Sequence, residues 1–149
     1  MPLHHLQFTV FLHTHRSEII TLLEAAYEQT GGYYGTLALR QRRSQANIDS
    51  VEFIADLLRG DVDWDQAARL VDSARAAGLP VSDVLRMTTH LETLFVAFVR
   101  QYTHNDATFG EALIRRSSHV TACFRAKALF VDLRRRRHKA TVDVVTAGE

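Results

Sequence analysis

Eight histidines are spread over this chain of 149 residues, and imidazole is a common protein ligand for transition metals. Four of them lie near the N-terminus, at His4, His5, His13 and His15. Two ligands on one helical face need a spacing of three or four residues, whereas His13 and His15 are two apart. The chain has one cysteine, Cys123, which excludes a cysteine-cluster zinc site. The sequence therefore predicts no metal site.

His90 stands between Thr89 and Leu91 in the most apolar helical pattern of the chain. It lies at about the position along the chain where a globin of this length carries its haem-ligating histidine. Haem needs such an axial ligand together with a wide apolar pocket. The other interpretation is a histidine on the flank of a core helix, hydrogen-bonded to a neighbour. We expect this second arrangement, with haem ligation by His90 as the alternative.

Carboxylates cluster around the end of the second helical segment, at Asp49, Glu52, Asp56, Asp61, Asp63 and Asp65. The alternation from Asp61 to Asp65 is similar to the start of a calcium loop. Such a loop requires glycine at its sixth position and glutamate at its twelfth, where this chain has Gln66 and Asp72. The cluster favours a solvated acidic face with helix capping. No catalytic constellation or phosphate-binding loop is recognisable, so we predict a protein that is not an enzyme.

Four consecutive arginines, Arg134 to Arg137, are followed by His138 and Lys139. Nine basic residues and one acidic residue, Asp132, lie between positions 115 and 139, so half of the 18 basic residues are there. Three interpretations stay open: contact with nucleic-acid phosphates, contact with the acidic region of another subunit, or the solvated end of a helix. The third is favoured, since no recognition motif or interleaved aromatic residue accompanies the run.

The overall composition indicates one soluble domain. Hydrophobic residues make up 46% and charged residues 23%, which excludes wholesale disorder, and the length suffices for one buried core. The net charge of +1 argues against a nucleic-acid-binding domain. No run reaches the roughly 18 apolar residues of a membrane span, and no targeting signal is convincing. We expect a cytoplasmic protein.

Helical periodicity organises the whole chain, and no strand pattern occurs. The apolar spacing predicts five or six helices in an all-α single domain. The predicted segments are Leu3–Gln29 with a possible break at Arg16 and Ser17, Tyr34–Arg59 divided near Gln45–Asn47, Trp64–Ala77, Asp83–Tyr102 and Phe109–Lys139.

Capping residues predict where these helices begin and end. A stop at Gly31 and Gly32, glycine C-caps at Gly60 and Gly78, and N-caps at Asp63 and Ser82 follow from residue type, and Asp106 or Thr108 opens the last helix. Leu70, Val71 and Ala74 are expected to face inward from the third helical segment. Asp83–Tyr102 is expected to be the central core helix.

Two stretches resemble the N-terminal sensor domains of RsbR-type stressosome proteins and related RsbRD-like regulators. The first is Phe11–Ile20, FLHTHRSEII, which is similar to the opening helix of that family. The second is Ala74–Arg86, ARAAGLPVSDVLR, which is similar to its turn between two helices. The resemblance spans the chain from about Leu6 to Lys139.

The resemblance implies a globin-like all-α fold that typically binds no haem, and a homodimer whose last helix leads into an output domain. It therefore implies a non-enzymatic sensory domain in bacterial stress signalling, with a STAS-domain protein or a switch kinase as partner. Nucleic acid and membrane are not expected partners. Residues 1–140 would form the sensor domain, and residues 141–149 a tail or the start of a linker.

Two sets of residues carry the expected sites. The core helix is expected to line a ligand pocket through His90, Leu94, Phe95 and Phe98. The last helix is expected to form the dimer surface, together with the N-terminal helix, through Leu113, Val120, Phe124, Phe130 and Leu133. The alternative function is a haem-binding gas sensor or carrier with His90 as the axial ligand.

Overall fold

Seven α-helices and no β-strand make up the part of the chain that the computed structural model describes, residues 2–40, 42, 44–60 and 63–147. The predicted all-α architecture is confirmed. The count exceeds five or six because both of the first two segments divide. None of these helices combines the length and apolar content that a membrane crossing requires. They are α1 (Pro2–Thr14), α2 (Arg16–Thr30), α3 (Gly32–Arg40), α4 (Gln45–Arg59), α5 (Trp64–Ala76), α6 (Val81–Tyr102) and α7 (Ala107–Ala147).

The first predicted segment divides at His15, one residue before the break expected at Arg16. His15 departs from helical geometry with φ −104° and ψ 20°. Helix α2 then ends at Thr30, where Gly31 adopts φ 72°, so the predicted stop is confirmed. The chain turns back at once into α3, which packs mainly on α2.

The second predicted segment divides immediately before Gln45, at the start of the range expected. Ser44 caps α4 there, because its Oγ accepts a hydrogen bond of 3.3 Å from the Asn47 backbone N–H. Helix α4 ends at Gly60, whose φ of 94° costs glycine little. The Gly60 N–H donates to the Leu57 carbonyl at 3.2 Å, which confirms the predicted glycine cap.

The caps predicted at the two ends of α5 are confirmed, and the N-cap predicted for α6 is corrected. Asp63 caps α5 by accepting from the Gln66 N–H at 3.0 Å, and Gly78 has φ 92°. The N-cap predicted at Ser82 is wrong. Pro80 occupies that position with ψ 145°, and α6 begins one residue later because the Asp83 N–H already donates to the Pro80 carbonyl at 3.0 Å.

Helix α6 lies at the centre of the bundle, between α2 on one side and α7 on the other. Its Phe95 and Val99 are buried, as is Leu23 of α2. Leu113 of α7 is completely buried, with 0% of its surface exposed. The predicted role of this segment as the central core helix is confirmed.

Helix α7 is longer than predicted. It opens where expected, with Asp106 Oδ1 accepting from the Phe109 N–H at 3.2 Å, but it continues past Lys139 to Ala147. Its 41 residues span about 60 Å at 1.5 Å per residue. The sequence between Ala140 and Ala147 contains no glycine or proline, so nothing local stops the helix at the expected tail boundary.

A second small core ties the far part of α7 to α5. Val71, Ala128 and Val131 form it, with 1%, 0% and 7% of their surfaces exposed. Val71 therefore faces inward as predicted and Ala74 is half-buried, whereas Leu70 is 46% exposed. Leu70 is exposed, contrary to the prediction, because α7 covers one face of α5 and leaves the neighbouring face, which carries Leu70, open.

Candidate functional site

A cavity of about 370 Å³ lies inside the bundle and is lined by residues from every helix between α2 and α7. This volume is within the range of small-molecule pockets, about 300–1,000 Å³. Most of the lining is aliphatic or aromatic. Among the described lining residues Glu92 is the single charged side chain, and its Oε2 lies 3.3 Å from the guanidinium of Arg125. The cavity suits an apolar occupant more than a charged one.

Two buried tyrosines from α2 and α3 form one wall of the cavity. The Tyr27 and Tyr34 rings lie 5.3 Å apart, and each side chain is less than 10% exposed. Burial raises the pKa of both phenols, and a hydrogen bond with Ser50 offsets part of this rise in the pKa of Tyr27. Both phenols are therefore neutral hydroxyls at ordinary pH, because burial disfavours the charged form.

Of the predicted pocket residues, the structure places Phe95 in the cavity lining. Phe98 packs on the other side of α6, with its ring 5.9 Å from Phe11 and 4.7 Å from Tyr102. Leu94 and His90 are half-buried outside the lining. The residues of α6 that join Phe95 are Val84, Met87, Thr88, Leu91 and Glu92. Leu91 and Thr88 were not predicted as pocket residues, although they lie four and seven residues before Phe95. This helical spacing places them on the same face of α6 as Phe95.

His90 has the hydrogen-bonded position that was expected for a histidine on a helix flank. Its Nδ1 lies 3.0 Å from Thr30 Oγ1, and the Thr30 hydroxyl donates to the Ala26 carbonyl at 2.8 Å. The Thr30 hydroxyl thus joins the last turn of α2 to His90 of α6. Arg86 supports the same helix end by donating to the Thr30 carbonyl at 3.0 Å.

This position of His90 bears on the haem alternative. Haem bound through His90 would require the imidazole to face a wide apolar pocket. The apolar cavity is lined by a neighbouring face of α6, at Met87 and Leu91, and His90 lies outside it at the contact with α2. The residues present do not fit haem held by His90.

The predicted dimer residues of α7 divide into a buried and an exposed group. Leu113 and Val120 are 0% and 7% exposed and belong to the chain's own core, and Phe124 is half-buried against it. Phe130 and Leu133 are 51% and 47% exposed. Of the five predicted dimer residues, Phe130 and Leu133 are therefore the two that are exposed to a second chain.

These two residues belong to an exposed, mostly apolar stripe along the outer face of α7. The positions alternate in steps of four and three residues, which is the 3.5-residue repeat of a coiled-coil seam. All of them are exposed, and the opposite face of α7 packs on α5 through Ala128 and Val131. The outer stripe, as we call it, consists of Ala126, Phe130, Leu133, Arg137, Ala140 and Val144.

The arginine run lies within α7 and is tied to α5 of the same chain. Arg135 lies 2.6 Å from Asp72, and Arg136 lies 2.9 Å from Asp132 Oδ2. The interpretation of the run as a helix end is wrong, since α7 continues for ten residues beyond Arg137 to Ala147, and the dipole acts within the last turn. The acidic partners are in this chain and outside the Asp49–Asp65 cluster.

Asp132, the single acidic residue of the basic stretch, is the centre of this arrangement. It is 5% exposed and lies between Arg136 of its own helix and Arg75 of α5, whose Nε is 2.8 Å from Asp132 Oδ1. The contact with Arg75 is a close ion pair without hydrogen-bond alignment. Arg75 also donates from Nη1 to the carbonyl of Leu79 in the α5–α6 turn. Asp132 thus connects α7 to α5 and to that turn.

A broad basic groove runs beside this ion pair, between α5 and the outer end of α7. Its volume is about 980 Å³, and seven arginine or lysine side chains and one carboxylate, that of Asp72, line it. Arg134 and Lys127 lie over the Phe130 ring, with their charges 5.9 and 5.5 Å from its centre. The cationic surface therefore borders the outer stripe.

The acidic cluster is engaged in local contacts. Asp63 caps α5, Asp56 pairs with Arg59, and Glu52 lies 2.9 Å from Arg16 of α2. These contacts support the predicted solvated, capping role. Asp61, the first residue of the calcium-like alternation, lies outside the described residues.

A search of the described ranges finds no group of three histidine, cysteine or carboxylate side chains placed to hold a metal ion. Comparisons with known proteins found no match: no family model, no curated protein and no solved structure matches this chain.

Proposed function

We propose that this chain is a non-enzymatic sensory or regulatory domain with a globin-like arrangement of helices, of the kind found in RsbR-type stressosome proteins. In this function a signal received by the bundle is passed along the last helix to an output domain or a partner chain. A STAS-domain protein or a switch kinase in the cytoplasm is the proposed output.

The observation that carries this proposal is the continuity of α7. Between Ser117 and Phe124 the helix lines the internal cavity, and from Arg134 to Val144 its side chains are mostly exposed. One rigid element therefore contacts both the interior of the bundle and the exposed segment that is available to a partner. A change in how the bundle holds α7 would reach that segment directly, provided that the signal favours one of two arrangements.

We propose further that the outer stripe pairs with the same stripe of a second copy. Its exposed apolar side chains, from Phe130 to Val144, repeat at coiled-coil spacing, and a parallel arrangement would direct both C-terminal ends the same way. Arg137 lies in the stripe and the other arginines flank it, so like charges of the two chains would approach each other. Salt should therefore strengthen the association by screening this repulsion.

Cysteine placed in the stripe should report this pairing. In a Cys123→Ser background, which removes the native thiol, Ala140→Cys is expected to form a disulfide-linked dimer under mild oxidation by oxidised glutathione. The yield should rise with salt. The measurement is non-reducing gel electrophoresis, with the mass in solution determined by light scattering.

Lys139→Cys in the same background is the matched control. Lys139 is exposed on the same turn but is rotated by about 100° around the helix from Ala140. It should form little dimer. Equal cross-linking at the two positions, or a mass of 16.9 kDa at all salt concentrations, would contradict pairing through the stripe.

A further inference from the structure

The internal cavity has the properties of a ligand site, beyond what packing of the core requires. Well-packed interiors contain few voids larger than a water molecule, whereas this one measures about 370 Å³. Tyr33, Leu70 and Ser73 of its lining are exposed, so the cavity reaches the surface between α3 and α5. A molecule therefore has a route of entry.

The lining defines the chemistry of the occupant. Its walls are apolar, its one carboxylate is already paired with Arg125, and burial keeps the phenols of Tyr27 and Tyr34 neutral. None of the described residues that line it carries a cationic side chain to balance an anion. A charged ligand would lose its hydration without compensation.

The hydroxyl of Ser117 in the cavity wall is available to a ligand. Ser117 of α7 is 5% exposed and lines the cavity, and no hydrogen bond joins its hydroxyl to another residue of the described chain. The Thr88 hydroxyl, also in the lining, instead donates to the Val84 carbonyl at 2.8 Å. The Ser117 hydroxyl is therefore free to bond to a ligand atom in the cavity, which would add a hydrogen bond there.

We infer that the cavity binds an uncharged, mainly apolar small molecule with one hydrogen-bonding group, which Ser117 contacts. The inference deepens the proposed function, since it names the class of signal that the bundle would receive. Ser117 lies on α7, so the same side chain that meets the ligand belongs to the helix that leaves the bundle.

Binding is measured with N-phenyl-1-naphthylamine, an uncharged probe whose fluorescence rises in apolar surroundings. The wild-type chain should bind it, and 1-octanol should displace it. Octanoate has the same chain length but is ionised at pH 8, and it should displace the probe at least about tenfold less well. Ser117→Ala should weaken the binding of 1-octanol by about fivefold and leave the affinity for the probe unchanged.

Two variants block the cavity. Ala74→Trp places a large ring in it from α5, and Ala76→Trp, on the exposed side of the same helix, is the matched control. Ser117→Trp places a large ring in the cavity from α7 and serves if Ala74→Trp does not fold, as judged by circular dichroism. Probe binding should be lost in the folded blocking variant and kept in Ala76→Trp.

Displacement by octanoate as strong as by 1-octanol would overturn the inference, as would undiminished probe binding in a folded blocking variant. The comparison of alcohol and carboxylate uses the wild-type chain and so does not depend on any variant. A chain that binds 1-octanol but does not cross-link at Ala140→Cys would retain this inference and contradict the proposed pairing along α7.

Discussion

Replacement of Asp132 by alanine is expected to lower the free energy of unfolding by about 3 kcal/mol. The carboxylate is 5% exposed, and Arg75, its partner on α5, has 22% of its side chain exposed. Removal of one member of a largely buried ion pair leaves the other charge without compensation. The loss should extend to the α5–α6 turn, because Arg75 also donates to the Leu79 carbonyl. Urea unfolding followed by circular dichroism measures it.

Asp143→Ala is the control, since Asp143 lies on the same helix and is exposed. It should change the free energy of unfolding by less than about 0.5 kcal/mol. The double variant Arg75→Met, Asp132→Leu removes both charges and should be more stable than Asp132→Ala. If Asp132→Ala were as stable as Asp143→Ala, the ion pair would not hold α7 on α5.

Leu113→Ala should cost about 3 kcal/mol or more of unfolding free energy. Leu113 is among the largest completely buried side chains, and truncation there leaves a void between α7 and the rest of the core. Thermal and urea unfolding give the loss. Light scattering at a temperature where the variant is folded should show its association unchanged.

Leu133→Ala is expected to show the opposite behaviour. Leu133 lies on the same helix but is 47% exposed in the outer stripe. Its truncation should cost less than about 1 kcal/mol in the unfolding of the single chain and should weaken dimer formation. If Leu113→Ala weakened association strongly but lowered the free energy of unfolding little, Leu113 would belong to the dimer surface and not to the core.

Local signals in the sequence predicted much of the secondary structure. Asp63, Asp106, Gly60 and Gly78 end or begin helices where expected, because a cap depends on residue type and on neighbours within four positions. The N-cap prediction at Ser82 failed for an equally local reason, because Pro80, two residues earlier, already has the backbone geometry of an N-cap.

The sites were predicted less well because they depend on distant contacts. Periodicity identified an apolar face on the last helix, but it did not show that Leu113 and Val120 are covered by this chain while Phe130 and Leu133 are not. The Asp132 pair had no sequence signal, since Arg75 is 57 residues away.

The cavity posed a similar problem. Helices α2 to α7 all contribute to it, and spacing along α6 alone suggested Phe95 together with residues that lie outside the lining. A void is a property of several packed faces at once. Its position follows from how α3 and α5 approach the other helices, which no single pattern encodes.

The proposed function requires that the cavity and the outer stripe of α7 are coupled. The most direct measurement is the rate of disulfide formation in the Cys123→Ser, Ala140→Cys variant with and without 1-octanol, with Ala74→Trp added as the control that cannot bind it. We predict a change of about fivefold or more in the unblocked variant and none in the blocked one. An unchanged rate while 1-octanol displaces the probe from the cavity would contradict the claim.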